Sequence, residues 1–193
     1  MDAPQLTALL AAAADEARRR LGCLSLEAML AYHEAGVAIV DPFSTLIAPG
    51  VAIGAGTILY PGVSLRQDAG GRIAIGPDCE IGADGGFTVR ASGGVVITVG
   101  AGARLSGGGS LSETSAIGDG AQILGAIDAR ACRLEGGGCH RDPDPDARGG
   151  VLKGAGRARG LHIPRGRVIQ AFGLFDMKDM LPQSHFHPHL GKG

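Results

Sequence analysis

A six-residue repeat runs through most of the chain after residue 36 and constrains its fold more than any other feature. Aliphatic residues recur at every sixth position, and a small or β-branched residue follows four places after most of them. The aliphatic column is Ile47, Ile53, Leu59, Leu65 and, after a shift of register at residues 66–72, Ile75, Ile81, Phe87, Val99, Leu105, Leu111, Ile117 and Ile123, with Gly93 as its exception. The register returns at Val151, Ile163 and Ile169, so residues 125–150 must contain a loop or an insertion.

This period predicts a parallel β-helix in which three hexads make one triangular coil. The composition agrees, because the chain has 34 glycines, five Phe, two Tyr and no Trp, so aliphatic ladders must fill its interior. Glycine suits the tight corners, and Asp78, Asp84 and Asp119 supply polar turn residues in a chain without asparagine. We predict an all-β solenoid of roughly six coils. The residues expected inside it include Ile53, Leu59, Ile81, Leu105 and Ile117.

Both ends of the chain depart from the repeat. The first 36 residues have apolar residues at helical spacing, with Ser25 expected to cap a second helix and Gly36 to end it. Residues 176–181 alternate charged and apolar side chains, which suggests a short amphipathic helix. We therefore predict an N-terminal helical arm over 1–36, the β-helix over 37–173 with an insertion around 136–150, and a C-terminal helix or tail over 174–193.

Charge and cysteine usage narrow the partners and the compartment. Lys+Arg 18 against Asp+Glu 19 leaves a formal charge of -1, which provides no basic surface for nucleic acid or anionic membrane. No apolar stretch reaches the ~20 residues that span a bilayer. The four cysteines form no Cys-x-x-Cys pair and the first residues lack a signal peptide's basic start, so we expect a reduced, cytoplasmic protein with neither nucleic acid nor membrane as partner.

Residues 36–65 carry a family resemblance. The matching elements are Gly36-Val37, Ile39, Asp41-Pro42, Ser44-Thr45, Val51, Ile53-Gly54, Gly56-Thr57-Ile58, Tyr60-Pro61-Gly62-Val63 and Leu65. This stretch resembles the start of the left-handed β-helix in bifunctional N-acetylglucosamine-1-phosphate uridyltransferase/glucosamine-1-phosphate acetyltransferase, with its preceding helical linker. Residues 73–123 are similar only to the general class of hexapeptide-repeat acyltransferases.

The resemblance implies a left-handed helix, a homotrimer, and acetyl-CoA or another acyl-CoA bound between neighbouring subunits. It does not extend to the uridyltransferase domain, because only a helical arm precedes the coils, and we expect that activity to be absent. The family's acetyltransferase site uses His-x-x-Tyr and Asn-Tyr-Asp-Gly elements, yet this chain has no asparagine and no tyrosine after Tyr60. Acetylation of glucosamine-1-phosphate by the family's own residues is therefore not expected.

The interruption of the repeat at residues 136–146 is the predicted position of the chemistry. It combines His140, a base suited to neutral pH, with Cys139 and the carboxylates of Asp142, Asp144 and Asp146. Acyl transfer to an amine or hydroxyl needs a base, and we predict His140 in that role with Asp142 as its partner. The alternatives are a solvated polar loop, or Cys139 as a nucleophile, which sequence adjacency to His140 does not support.

Basic residues follow this loop, and their charge suits a phosphorylated ligand or the pyrophosphate of coenzyme A. The predicted binding residues are Arg141, Arg148, Lys153, Arg157 and Arg159. An ordinary exposed basic face is the alternative interpretation.

The tail contains three histidines at alternate positions, His185, His187 and His189. Three imidazoles suit zinc, but gamma-class carbonic anhydrases take their zinc ligands from different coils and subunits, so zinc is not favoured and no metal site is predicted here. We expect these histidines to lie apart from the catalytic centre.

Three functions stay open on the sequence alone. The first is an acyl-CoA-dependent acyltransferase of the hexapeptide-repeat type, acting on an amine or hydroxyl of a small, sugar-like or anionic acceptor. The second is a zinc-dependent enzyme like gamma carbonic anhydrase, and the third is a non-catalytic trimeric scaffold derived from a truncated synthase. Binding of acyl-CoA would select the first.

Overall fold

A computed structural model describes residues 2–187. Two helices open the chain: α1 at Ala3–Arg20 and α2 at Leu26–Glu34. Asp2 and Gln5 cap α1 reciprocally, with the Asp2 carboxylate accepting from the Gln5 backbone N–H at 2.9 Å. Ser25 caps α2 as predicted, and Gly36 follows it with a φ of +82°. None of the helices in this range is long and apolar enough to cross a bilayer.

The remainder is almost entirely short strands. In chain order they are β1 Ala38–Ile39, β2 Leu46–Ile47, β3 Ala52–Ile53, β4 Ile58–Leu59, β5 Val63–Gln67, β6 Arg72–Ile75, β7 Glu80–Ile81, β8 Phe87–Ala91, β9 Val96–Val99 and β10 Arg104–Ser106. They continue as β11 Ser110–Ser112, β12 Ser115–Ile117, β13 Gln122–Leu124, β14 Ile127–Arg130, β15 Arg133–Leu134, β16 Val151–Arg159, β17 His162–Ile163, β18 Arg167–Leu174 and β19 Met180–Pro182.

These strands form the three walls of a left-handed parallel β-helix, which confirms the predicted fold class. The first wall stacks β1, β4, β7, β10, β13, the start of β16 and β18, and the second stacks β2, β5, β8, β11, β14 and the end of β16. The third wall stacks β3, β6, β9, β12, β15 and β17, one strand from each of six coils. Its six strands match the predicted number of coils.

The strand β16 runs around an edge of the prism and joins two walls into one sheet. Its first residues pair with β13 and its last with β14. The turn between them contains Gly154 and Gly156, whose φ angles of +126° and +138° favour glycine. A Cβ at either position would also collide with a backbone carbonyl of β18.

The interior is the predicted aliphatic ladder, except that Leu152, and not Val151, follows Ile123 in it. Leu59, Ile81, Leu105 and Ile117 are buried as expected, but Ile53 is only partly buried. Ile53 lies on β3, the edge strand of the third wall, where no further coil covers it. Asp78 and Asp84 adopt φ angles of +56° and +59°, in agreement with their predicted role at corners.

Arg18 fastens the helical arm to the first coil. Its buried guanidinium donates to the backbone oxygens of Leu24 at 2.6 Å, Pro42 at 2.8 Å and Thr45 at 2.9 Å. The base of the arm is therefore tied to the solenoid, whereas Leu6, Leu9 and Leu10 near its start are exposed.

Two segments outside the repeat lie near the last coils. The long loop, residues 135–150, connects β15 to β16 and contains a 3-10 turn at Pro145–Ala147. The tail, residues 176–187, has 3-10 turns at Met177–Asp179 and Gln183–His185 on either side of β19. The sequence predicted an amphipathic helix here, but β19 instead pairs antiparallel with β18, because the last strand of the stack offers unpaired backbone groups.

Candidate active site

A cleft of about 310 Å³ lies where the long loop and the tail meet the outer surface of the first wall. We call it the His140 cleft. Its lining includes Arg104 and Gln122 from the wall, His140 and Arg148 from the loop, Lys153 from β16 and Phe186 from the tail.

The long loop is folded back on itself by backbone hydrogen bonds. The Gly138 N–H donates to the backbone oxygen of Ala147 at 2.8 Å, and the Gly149 N–H donates to the backbone oxygen of Gly138 at 3.0 Å. The Arg148 guanidinium closes the intervening turn by donating twice to the backbone oxygen of Asp142, at 2.8 and 2.5 Å. These contacts fold the segment that carries His140 back on itself, and the Gly137 N–H ties the loop to the preceding coil by donating to the backbone oxygen of Asp119 at 2.9 Å.

His140 is half-buried, and its Nδ1 is buried without a hydrogen-bond partner among residues 2–187. Burial lowers the pKa of the imidazole, and the positive charges of Arg104, Arg141 and Arg148 lower it further. Glu80 opposes them and raises the pKa. The combined effect favours a neutral imidazole, which is the form that accepts a proton.

Asp142 does not orient His140, contrary to the pairing that the sequence suggested. Its Oδ1 accepts from the Asp144 N–H at 3.0 Å, and its own N–H donates to Cys139 at 2.9 Å. Only Arg141 separates Asp142 from His140 in the chain, but the Asp142 carboxylate accepts a hydrogen bond within its own turn instead. No carboxylate in residues 2–187 hydrogen-bonds to the His140 ring.

The predicted basic residues divide between two walls. Arg148 and Lys153 line the His140 cleft, and Arg141 lies beside His140 in an adjoining pocket of about 230 Å³. Arg157 and Arg159 instead belong to the second wall, where they line a groove of about 450 Å³ that also contains Arg130. The bend in β16 separates the two groups, so one site on this subunit does not contain all five.

The cysteines are free thiols in different settings. Cys23, Cys79 and Cys132 are buried, and Cys139 is exposed. Burial raises the pKa of the Cys79 and Cys132 thiols, which disfavours the reactive thiolate.

The tail approaches the cleft more closely than the sequence suggested. His187 and Phe186 line the His140 cleft, and the ring of Phe186 lies 4.9 Å from that of His185. His189 lies outside the described residues. Within residues 2–187, no three His, Cys, Asp or Glu side chains are grouped as a metal site, and His162 instead contacts Glu135 at 2.8 Å.

Sequence reasoning missed Arg104, Gln122 and Phe186 as cleft residues. Arg104 and Gln122 occupy outward positions of the repeat, next to the inward Leu105 and Ile123, where the period predicts only exposure. The sequence shows that each of them directly precedes a residue of the inward ladder. The period does not show which outward residues a loop will cover.

Sequence comparison supports the family resemblance. The chain is similar to proteins named bifunctional protein GlmU: it is 37% identical over 102 residues to that of Mycobacterium sp. strain KMS, covering 50% of this chain and 19% of the relative. It is 46% identical over 77 residues to that of Nocardia farcinica, covering 38% and 15%. It is 49% identical over 53 residues to that of Levilactobacillus brevis, covering 28% and 11%.

These matches span less than a fifth of the length of each relative. No protein-family model matches the chain. Together with the β-helix, the matches confirm that the chain is similar to the hexapeptide-repeat transferase part of such proteins.

Proposed function

We propose that this β-helix, with its sequence similarity to bifunctional GlmU proteins, is an acyl-CoA-dependent acyltransferase with His140 as general base. The acceptor is a small anionic or sugar-like molecule that presents an amine or hydroxyl. The observation that carries the proposal is the position of His140: a half-buried imidazole in a cationic cleft, with a lowered pKa and with no partner for Nδ1 among residues 2–187.

The proposed reaction needs two proton transfers, one from the acceptor to His140 and one from His140 to the leaving thiolate. A ring nitrogen of His140 takes the proton of the acceptor amine or hydroxyl as that group attacks the thioester carbonyl. A C–N or C–O bond forms and the C–S bond breaks. The departing thiolate then takes the proton from the imidazolium, which returns His140 to its neutral form.

The cations of the two walls have separate proposed roles. Lys153 is exposed, and together with Arg148 it gives the His140 cleft the positive charge that an anionic acceptor requires. Arg141 adds to that charge from the adjoining pocket. Arg157 and Arg159, in the groove of the second wall, are proposed contacts for the phosphates of coenzyme A.

We also propose that the protein assembles as a homotrimer. The similarity to hexapeptide-repeat transferases supports this, as do exposed apolar side chains such as Phe172 and Leu174, of which 82% and 73% are accessible. Sedimentation equilibrium at micromolar concentration tests the assembly, and a monomer would contradict it.

The decisive experiment replaces His140. His140→Ala is expected to lower turnover about 10²-fold or more while the affinity for coenzyme A stays unchanged. Cys139→Ser is the matched control, because this neighbouring residue is exposed and has no part in the proposed mechanism. If the wild-type protein neither binds acyl-CoA nor slowly hydrolyses it, the non-catalytic scaffold becomes the better interpretation.

Asp142→Asn separates the sequence-based pairing from the observed geometry. Asparagine keeps an oxygen that can accept from the Asp144 N–H, so we expect turnover within a few-fold of wild type. A loss as large as that of His140→Ala would restore Asp142 as a partner of the base.

A further inference from the structure

Gln122 occupies an outward position on the first wall but is almost fully buried. The strand pairing aligns it between Arg104 on the coil below and Val151 on the coil above. The next outward residues below, Glu80 and Arg104, each keep 30% of their side chains exposed. Gln122 is only 5% exposed, because it lies in the His140 cleft beneath the long loop and the tail.

Burial at this column does not require a polar residue. Val151 and Val168, the next two residues of the same column, are also buried, and both are apolar. An apolar residue such as valine can therefore occupy the buried positions of this column. The glutamine at the cleft needs another explanation.

Among residues 2–187, no group forms a hydrogen bond with the side chain of Gln122. Its backbone N–H donates to Gly150 at 3.0 Å, but its side-chain amide makes no hydrogen bond within residues 2–187. The amide nitrogen and oxygen are not among the fully buried atoms that lack a partner, so the small accessible part of this side chain includes the amide, which opens into the His140 cleft. A polar group that faces a cleft from an otherwise buried side chain, with no hydrogen bond to residues 2–187, is placed to bind a ligand.

The chemistry of the cleft narrows that ligand. A glutamine amide offers N–H donors and a carbonyl acceptor, which a hydroxyl or an amino group matches by donating and accepting. Lys153 supplies positive charge to the same cleft: its ammonium lies 6.0 Å from the centre of the Phe186 ring, and no carboxylate among the described residues forms an ion pair with it. The volume of about 310 Å³ limits the ligand to a small molecule.

We infer that Gln122 is a specificity-determining residue, whose amide hydrogen-bonds a hydroxyl or amino group of a small carboxylate or phosphate held by Lys153. This inference deepens the proposed function, because the bound anion would be the acyl acceptor. It is supported by the burial of Gln122, by its position in the strand register and by the lack of a hydrogen bond from its amide to residues 2–187, none of which depends on acyl transfer.

The first test is thermal unfolding of Gln122→Leu without any ligand. Leucine has a similar volume and removes an amide that makes no hydrogen bond to residues 2–187, so the melting temperature should stay equal or rise. A fall in melting temperature would show a structural role for Gln122 and overturn the inference. Gln170→Leu is the matched control, since Gln170 lies on the same wall and is exposed.

The second test is calorimetric binding of matched anions in the absence of acyl-CoA. The pairs are 3-hydroxybutyrate against butyrate and glycerol 3-phosphate against propyl phosphate. We expect wild type to bind at least one hydroxylated member about tenfold more tightly than its deoxy partner, and Gln122→Leu to remove that preference while still binding the deoxy anion. No preference in wild type, or a preference that survives in Gln122→Leu, would overturn the inference.

The two proposals fail in different ways. A preference that depends on Gln122, in a protein that transfers no acyl group to any bound anion, would reject the acyltransferase and keep the ligand site. Acyl transfer to an acceptor whose affinity Gln122→Leu leaves unchanged would reject the role of Gln122 alone.

Discussion

The side-chain amide of Gln183 donates a 2.7 Å hydrogen bond to the backbone oxygen of Gly149, and both residues are buried. The bond joins the tail to the long loop. A second bond joins the same two segments, since the Ser184 N–H donates to the Asp146 carboxylate at 2.9 Å. The Gln183 N–H also ties the tail to the last coil by donating to the backbone oxygen of Gly166 at 2.8 Å. Phe186 is thereby held at the His140 cleft, so the tail forms part of the proposed site.

Gln183→Leu should weaken this attachment. Losing the amide leaves the buried Gly149 oxygen without that donor, which should lower the free energy of unfolding by ~1–3 kcal/mol. Urea denaturation measures the loss, and amide hydrogen exchange over residues 176–187 should become faster. Unchanged stability and unchanged exchange would show that the tail is held by other contacts.

The pH dependence of catalysis should move in opposite directions when Arg104 and Glu80, two neighbours of His140 with opposite charge, are replaced one at a time. A general base acts when neutral, so kcat/KM should fall as pH drops through its pKa, which burial and Arg104 place below the ordinary 6.5. Arg104→Met should raise this pKa and move the acidic limb to higher pH, because a repelling cation is lost. Glu80→Gln should lower it, because the carboxylate that favours the imidazolium is lost.

The pH profile of kcat/KM measures both shifts. Parallel shifts in the two variants, or no acidic limb in wild type, would contradict His140 as the base.

The basic residues of the two walls should separate kinetically. Arg157→Ala is expected to raise KM for acyl-CoA about tenfold and leave KM for the acceptor unchanged, since Arg157 lies in the groove of the second wall. Lys153→Ala should do the reverse, since Lys153 lines the His140 cleft. Steady-state kinetics with each substrate varied measures both, and equal effects on both substrates would reject the separation.

Truncations in the core should depend on position along the solenoid. Leu105→Ala, in a middle coil and fully buried, should cost ~2–5 kcal/mol of stability. Ile53→Ala should cost less than Leu105→Ala, because Ile53 lies on an edge strand and is only partly buried. Urea denaturation of the two variants gives the comparison, and equal losses would contradict the edge position of Ile53.

The interior of the fold was predictable because the repeat encodes it locally. Each hexad places the same residue types against the coil above and the coil below, so Leu59, Ile81 and Leu105 could be identified as core from their spacing alone. His140 could be singled out as a candidate base because it lies where that repeat is interrupted. Closeness in the sequence was a poor guide to closeness in the structure at two places. Asp142 accepts a hydrogen bond within its own turn rather than pairing with His140. The bend in β16 places Arg157 on a different wall from Lys153.

The sequence by itself determined the coils, the inward ladder and the position of the interruption, since all three depend on residues near one another in the chain or one coil apart. Only the tertiary structure decided which outward residues are covered. Gln122 is buried because segments with no repeat of their own lie over it, and one bond that holds them joins residues 34 positions apart, Gln183 and Gly149. A periodic pattern carries no information about such contacts, because it describes how coils stack and not where a loop or a tail folds back onto them.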